Sequence, residues 1–136
     1  MHQGKQNAKE IDNLFRIYIK HTQIYTIMKE LTYEDTTILI GSNVNDNQKL
    51  IDTYNHTDYI WFHLKAYPSS HVVILGNKPS EEIILYAANL CKNTTKYKNL
   101  RGLKVNYTPY NNIRKTNKPG TVTFKSNRQV KVITLL

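Results

Sequence analysis

Acidic residues run out after Glu82: the 54 residues that follow hold eleven lysines and arginines and not one aspartate or glutamate. Cysteine is nearly absent too. Cys91 stands alone, so no disulfide can close within the chain and a zinc site built on cysteines is excluded. No segment approaches the roughly 20 apolar residues of a membrane helix, and the opening stretch MHQGKQNAKE has no apolar run of the kind that marks a signal peptide. These absences predict a soluble, cytoplasmic protein. No Gly-rich phosphate loop, kinase motif set or dinucleotide fingerprint is present. What remains is 136 residues, the size of one domain and enough to bury roughly two thirds of the unfolded surface.

The missing acids segregate the charge. Residues 1–60 carry six Lys/Arg against eight Asp/Glu, whereas residues 61–136 carry thirteen against two, so a total of +9 hides a second part of +11. Such a run cannot neutralise itself with local ion pairs; its field must be met by solvent, by the first part of the chain, or by a polyanion. Solubility alone asks for charge but not for its segregation. The pattern therefore favours nucleic acid or a phosphate-rich assembly as partner.

Apolar periodicity sets out the elements. Ile11, Leu14, Phe15 and Tyr18 fall at helical spacing and predict an amphipathic helical extension over 1–20, ahead of a domain over 21–136. IYTIMKEL and TTILIG read as strands. NVNDNQKLIDTYN reads as a helix that offers Val44, Leu50, Ile51 and Tyr54 to the core. YIWFHL and HVVIL are strands joined by the turn AYPSS. A helix from Pro79 carries Glu81 and Glu82 at its positive end, buries Ile83, Ala87, Leu90 and Cys91, and leaves Lys92 and Lys96 exposed one turn apart. Lys118-Pro119-Gly120 suits a type II turn, and TVTF with QVKVITL predicts a terminal hairpin with Val122, Phe124, Val130 and Val132 inward. The fold class is α+β: a single compact domain with a mixed or antiparallel sheet, its hairpins packed against two or three helices.

The stretch YIWFHLKAYPSSHVVIL gathers the sole tryptophan, two histidines and two serines around one turn. A nucleophile–base pair would need Ser70 within hydrogen-bond reach of a histidine held by a third group, yet Ser70 and His71 are adjacent in a strand and point to opposite faces. Metal binding would require a third ligand beside His63 and His71, and nothing near them has ligand spacing. No catalytic residue, metal or cofactor is assigned. Two readings stay open. In one, the histidines face each other across the hairpin, where positions summing to about 134 pair, and share or bridge a hydrogen bond. In the other, the turn displays Lys65, Tyr67, Ser69 and Ser70 to a nucleotide, with Trp61 mainly structural.

The succession ILIGSNVNDNQKLI, DYIWFHLKAYPSSHVVI, NKPSEEIILYAA, VNYTPYNNIRK and NKPGTVTF, from about residue 36 to residue 134, resembles the NFACT-R domain. That module occurs in the ribosome-quality-control NFACT proteins and in the stand-alone coiled-coil-domain-containing protein 25 family. YTPYNNIRKT is more similar to the stand-alone family, KPSEE and KPGTVTF to the long proteins. Ala66 replaces an acid common in that motif, and Ser69 a glycine often found in the turn. The resemblance implies a non-enzymatic RNA-binding module, acting on tRNA or ribosomal RNA in or beside translation, with the ribosome as a further partner. Tail addition by the long proteins does not carry over, because their other domains have no counterpart here. The alternatives are a DNA-binding module and a scaffold that docks an acidic protein.

An RNA surface needs cations for phosphates and rings or polar groups for unstacked bases. Around the turn the candidates are His63, Lys65, Tyr67, Ser69, Ser70 and His71. The basic half adds Lys92, Lys96, Arg101, Tyr107, Arg114, Lys115, Lys118 and Arg128, and Tyr110 is a further candidate ring.

Overall fold

Three short runs, ILI of TTILIG, IWFHL and HVVI, place apolar residues at consecutive positions, which suits strands covered on both faces rather than one. The computed structural model describes residues 15–20 and 23–136. Its strands are β1 (Phe15–Lys20), β2 (Gln23–Tyr33), β3 (Thr36–Gly41), β4 (Ile60–Leu64), β5 (His71–Ile74), β6 (Lys104–Pro109), β7 (Ile113–Lys115), β8 (Val122–Phe124) and β9 (Lys131–Thr134). The helices are α1 (Val44–Tyr54) and α2 (Glu81–Asn93). Seven strands form one sheet in the order β1-β2-β3-β5-β4-β6-β9, and β7 pairs with β8 in a separate ribbon. Every pairing among the described residues is antiparallel, so the class is α+β.

Strand parity divides the core into two layers. Ile38, Ile40, Ile60, Phe62, Leu64, Val72 and Ile74 face α2, which supplies Ile83, Ala87, Leu90 and Cys91. Leu39, Trp61 and Val73 face the other way, onto Leu50 and Ile51 of α1 and onto Tyr110 and Ile113. Both helices start where the sequence puts a cap. The Asn43 side chain accepts from the Asp46 amide (2.8 Å), and Ser80 accepts from the Ile83 amide (3.2 Å). The β2–β3 turn is a two-residue connection, Glu34-Asp35, with both φ values positive (49° and 64°), the geometry that matches strand twist in a tight hairpin.

Four expectations need correction. Phe15–Lys20 is a strand paired with β2, not part of a helix; the sequence FRIYIK also alternates apolar and polar, and that period wins once β2 offers an edge. The rest of the expected helix, residues 8–14, lies outside the described residues. Val44 is 55 % exposed, because the first residue of α1 lies over the Gly120 turn rather than over the sheet. Lys96 falls beyond α2, and Lys92 is half-buried, its ammonium 3.5 Å from the Leu136 carbonyl.

The largest revision is at the C-terminal end. TVTF and QVKVITL do not pair with each other: β8 joins β7 and β9 joins β6, so Val132 is 44 % exposed while Ile133 packs on the core. Asn112 fixes this crossing. Its side-chain nitrogen donates to Thr108 Oγ1 (3.0 Å) and to the Ser126 carbonyl (2.9 Å), and its Oδ1 accepts from the Ser126 amide (2.9 Å). Asn112 is only 2 % exposed, so its removal strands several polar groups away from water. Asn112→Ala is expected to lower stability by roughly 2–3 kcal/mol, read as a shift in the urea midpoint; a midpoint unchanged from wild type would show that the crossing does not depend on this side chain.

Candidate nucleic-acid interface

The two histidines face each other as the hairpin register requires. Ile60, Trp61 and Phe62 pair with Ile74, Val73 and Val72, and the rings of His63 and His71 stand 5.1 Å apart, edge to face at 84°. They do not share the hydrogen bond that one of the two readings gave them, because each already has a better partner. Trp61 lies on the same face two residues before His63 and diagonal to His71, and its indole Nε1–H donates to His71 Nδ1 (3.1 Å). The other side of the His71 ring meets the Gly120 backbone. His71 is therefore neutral, with its proton on Nε2. Burial pushes its pKa down to about 3, helped by the neighbouring His63. His63 turns its Nδ1–H onto the Leu64 carbonyl (2.6 Å), and burial also lowers its pKa.

The serines are turn fixtures rather than displayed groups. Ser69 Oγ accepts from the Leu64 amide (3.1 Å) and donates to the Ser70 carbonyl (3.0 Å), while Ser70 is 9 % exposed. No serine–histidine hydrogen bond forms among the described residues, and His71, with both nitrogens engaged, has no lone pair to take a proton from Ser70. Close packing also limits the rings. Tyr110 is fully buried with its hydroxyl unpaired and cannot stack on a base. Tyr107 is stacked on Phe62 (5.3 Å, 14°), which uses one of its faces. Tyr67 is half-buried against Tyr97 (4.5 Å), whose ring lies 5.4 Å from the Lys96 ammonium.

What the structure brings together is a cleft of about 260 Å³ between the ends of β4, β5 and β6 and the β7–β8 ribbon. Trp61, His63 and His71 reach it from the sheet, with Lys65 at its edge. Asn106 enters from β6, directly opposite His63, and the turn after Pro119 and Phe124 close the far side. Two glycines permit this arrangement. Gly120 has φ +79° at the second central position of the 118–121 turn, where the Thr121 amide bonds to the Lys118 carbonyl (3.2 Å). A Cβ on Gly41 would lie 2.3 Å from Asn47 Oδ1, the atom that accepts from the His71 amide (3.3 Å). Sequence reasoning missed Asn106 and Phe124. The motif NKPGTVTF marked its segment, but only the folding of β8 back beside β4 puts it next to the histidines.

Most of the expected cations are exposed: Lys65, Lys96, Arg101, Arg114, Lys118 and Arg128. Lys115 is exposed too, but it pairs with Asp52 of α1 (2.7 Å), and Lys92 is half-buried. Among the described residues, no group of histidine, cysteine and carboxylate side chains could hold a metal ion, and no helix is long and apolar enough to cross a membrane.

Residues 23–126 match the family described as the NFACT protein RNA binding domain. Over 104 residues the chain is 40 % identical to the Rqc2 homolog RqcH of Bacillus subtilis, an alignment covering 73 % of this chain and 18 % of that protein. It is 31 % identical over 108 residues to coiled-coil domain-containing protein 25 of Bos taurus, covering 73 % of this chain and 51 % of that one. The C-terminal of the fibronectin/fibrinogen-binding protein from Streptococcus suis superposes with a TM-score of 0.74 at 26 % identity, over 96 % of this chain and 53 % of that structure. The chain thus spans under a fifth of the Bacillus protein and about half of the bovine one.

The buried, neutral His71 gives the fold a pH dependence of known sign. In the unfolded chain its imidazole titrates near 6.5, in the folded one near 3, so between these values the unfolded state binds more protons. Stability is full above about pH 6.5 and falls as the pH drops toward 3. At pH 5 the loss from this residue is about 2 kcal/mol. In urea melts at pH 7 and pH 5, His71→Asn, whose amide oxygen can still accept from Trp61, should lose less stability on acidification than wild type; equal losses would place the titrating group elsewhere.

Proposed function

Taking as premise that the chain belongs to the NFACT protein RNA binding domain family, we propose that it binds RNA, tRNA or ribosomal RNA, through its acid-free half and performs no chemistry on it. The observation that carries this reading is the state of the cations after Glu82. Arg101, Lys104, Arg114, Lys118, Lys125, Arg128 and Lys131 are all exposed, and among the described residues Lys115 is the member of this group held by a carboxylate. Cations without carboxylate partners are what a phosphate backbone needs, since each phosphate they neutralise releases condensed counterions.

The cleft adds rings and amides of the kind used for unpaired bases. The absence of acid–base chemistry is supported by His71 being saturated and by the serines being spent on the turn. Work beside the ribosome in the cytoplasm is in keeping with relatives named as homologues of Rqc2.

Competition among tRNA, duplex DNA and an acidic polypeptide, followed by fluorescence anisotropy across a salt series, tests the reading. Binding of tRNA should weaken steeply with salt, by about 0.7–0.9 in log–log slope for each phosphate contacted. Arg114→Ala and Lys118→Ala should each lower affinity for every RNA alike and remove about one such increment from the slope. A salt-independent affinity, or an acidic polypeptide that displaces tRNA as well as RNA does, would sink the proposal.

A further inference from the structure

The cleft beside the histidines keeps two polar groups that the fold does not use. His63 gives its Nδ1–H to the Leu64 carbonyl, so its Nε2 is an unprotonated acceptor, and that atom has no partner among the described residues. Asn106 stands opposite on β6, lines the same cleft, and its amide is likewise unbonded. Around them the walls are aromatic: Trp61, 2 % exposed, forms the floor in parallel with the His63 ring (5.8 Å, 3°), and Phe124 meets Trp61 edge-on (5.6 Å, 67°). Lys65, just past the end of β4, is exposed at the mouth with its ammonium unpaired among the described residues.

His71 and the Gly120 turn line the cleft and hold this assembly in place, the two His71 ring nitrogens being spent on the protein. The Trp61–His71 hydrogen bond fixes the indole, and the His71–Gly120 contact ties the β7–β8 ribbon to the sheet. Carbonyl and imidazole acceptors together with amide donors suit the edge of a heteroaromatic ring; the partly exposed Phe124 ring suits one of its faces; a cation at the rim suits a phosphate attached to it. At about 260 Å³ and open on one side, the space falls just below the range of roughly 300–1,000 Å³ typical of drug-sized ligands and fits a smaller planar group.

We infer that this cleft takes one unstacked nucleobase of the bound RNA, with His63 Nε2 and the Asn106 amide on its edge and Lys65 on its phosphate. The inference rests on the RNA-binding reading above. It separates two tasks in the molecule, since exposed cations supply sequence-independent attraction and the cleft supplies the base contact. It also makes His71 a positioning residue, acting through Trp61 and the Gly120 turn.

Trp61 is the sole tryptophan of the chain and forms the cleft floor, so it reports occupancy directly. The experiment titrates the full chain with a short unpaired RNA oligomer and with an abasic oligomer of equal length and charge, following anisotropy of a labelled end together with Trp61 emission. The base-bearing oligomer should bind about tenfold more tightly and change Trp61 emission on saturation, whereas the abasic one should bind with the same salt slope and leave the emission unaltered. Asn106→Ala should erase the difference between the two oligomers while keeping the salt slope, and Lys65→Ala should weaken both oligomers alike and remove about one phosphate's increment from the slope of each.

If both oligomers bind equally with steep salt dependence and neither moves Trp61 emission, the cleft is not a base site and the RNA reading stands. If neither oligomer binds, the RNA reading fails and takes the cleft with it. Because the oligomer comparison is made on the wild-type chain, a variant that folds poorly does not protect the inference.

Discussion

Burial of the central strands on both faces is the constraint from which the rest of the structure follows. β3, β5 and β4 lie between α2 on one side and α1 with the Tyr110 segment on the other, so a polar group on these strands that does not open on the cleft has to find a partner inside the protein. That demand falls hardest on His71, 3 % exposed at the start of β5. Its ring is met by the Trp61 indole and the Gly120 backbone, and its amide by Asn47 from α1. One residue thereby links the sheet, the first helix and the β7–β8 ribbon.

The ribbon packs Ile113 and Phe124 on the core but depends on further contacts to be placed. β7 and β8 are three residues each, too short to be stable as an isolated hairpin. Beside that packing, polar side chains dock them: Gln48 Oε1 of α1 accepts from the Gly120 amide (2.8 Å), Lys115 pairs with Asp52, and Asn112 clamps the Ser126 backbone. Of these, the exposed ion pair contributes least, since such pairs give about 0–1 kcal/mol and weaken with salt. The buried amide contacts do more. They fix the position of the turn that closes the cleft, and so couple the stability of the C-terminal half to the geometry of the site.

Local pattern carried much of this architecture. The turn at 118–121 and the facing of His63 and His71 follow from short-range chemistry and appear as read, whereas the second helix begins at Glu81 behind a Ser80 cap rather than at Pro79. The larger misreadings share one cause, which is pairing between distant segments. FRIYIK satisfies both a helical and an alternating pattern, and only the neighbouring edge of β2 decides between them. TVTF and QVKVITL alternate alike, so nothing local says that β8 turns to β7 while β9 crosses to β6; the decision rests on Asn112, a single buried amide. The same limit hid Asn106 and Phe124 from the candidate site. The hydrogen bond from Trp61 was equally out of reach, because tryptophan donors find buried acceptors through tertiary packing rather than through spacing.

Charge segregation and the neutral cleft are two sides of one arrangement. A protonated histidine at position 71 would need a carboxylate beside it, and the segment that closes over its ring comes from the stretch after Glu82, which has none. Burying that cation unpaired would cost several kcal/mol, so the ring stays neutral and its hydrogen bonds are fixed in one sense. The lysines and arginines of the same stretch avoid the cost by remaining at the surface, where water screens them until a polyanion arrives. Placing uncharged acceptors and amides at depth with cations at the rim lets long-range attraction act on the phosphates without pulling a charge into the floor of the cleft. A chain that kept acids in its second half could have paired its own cations and buried a charged histidine, and it would have lost both the attraction and the neutral site.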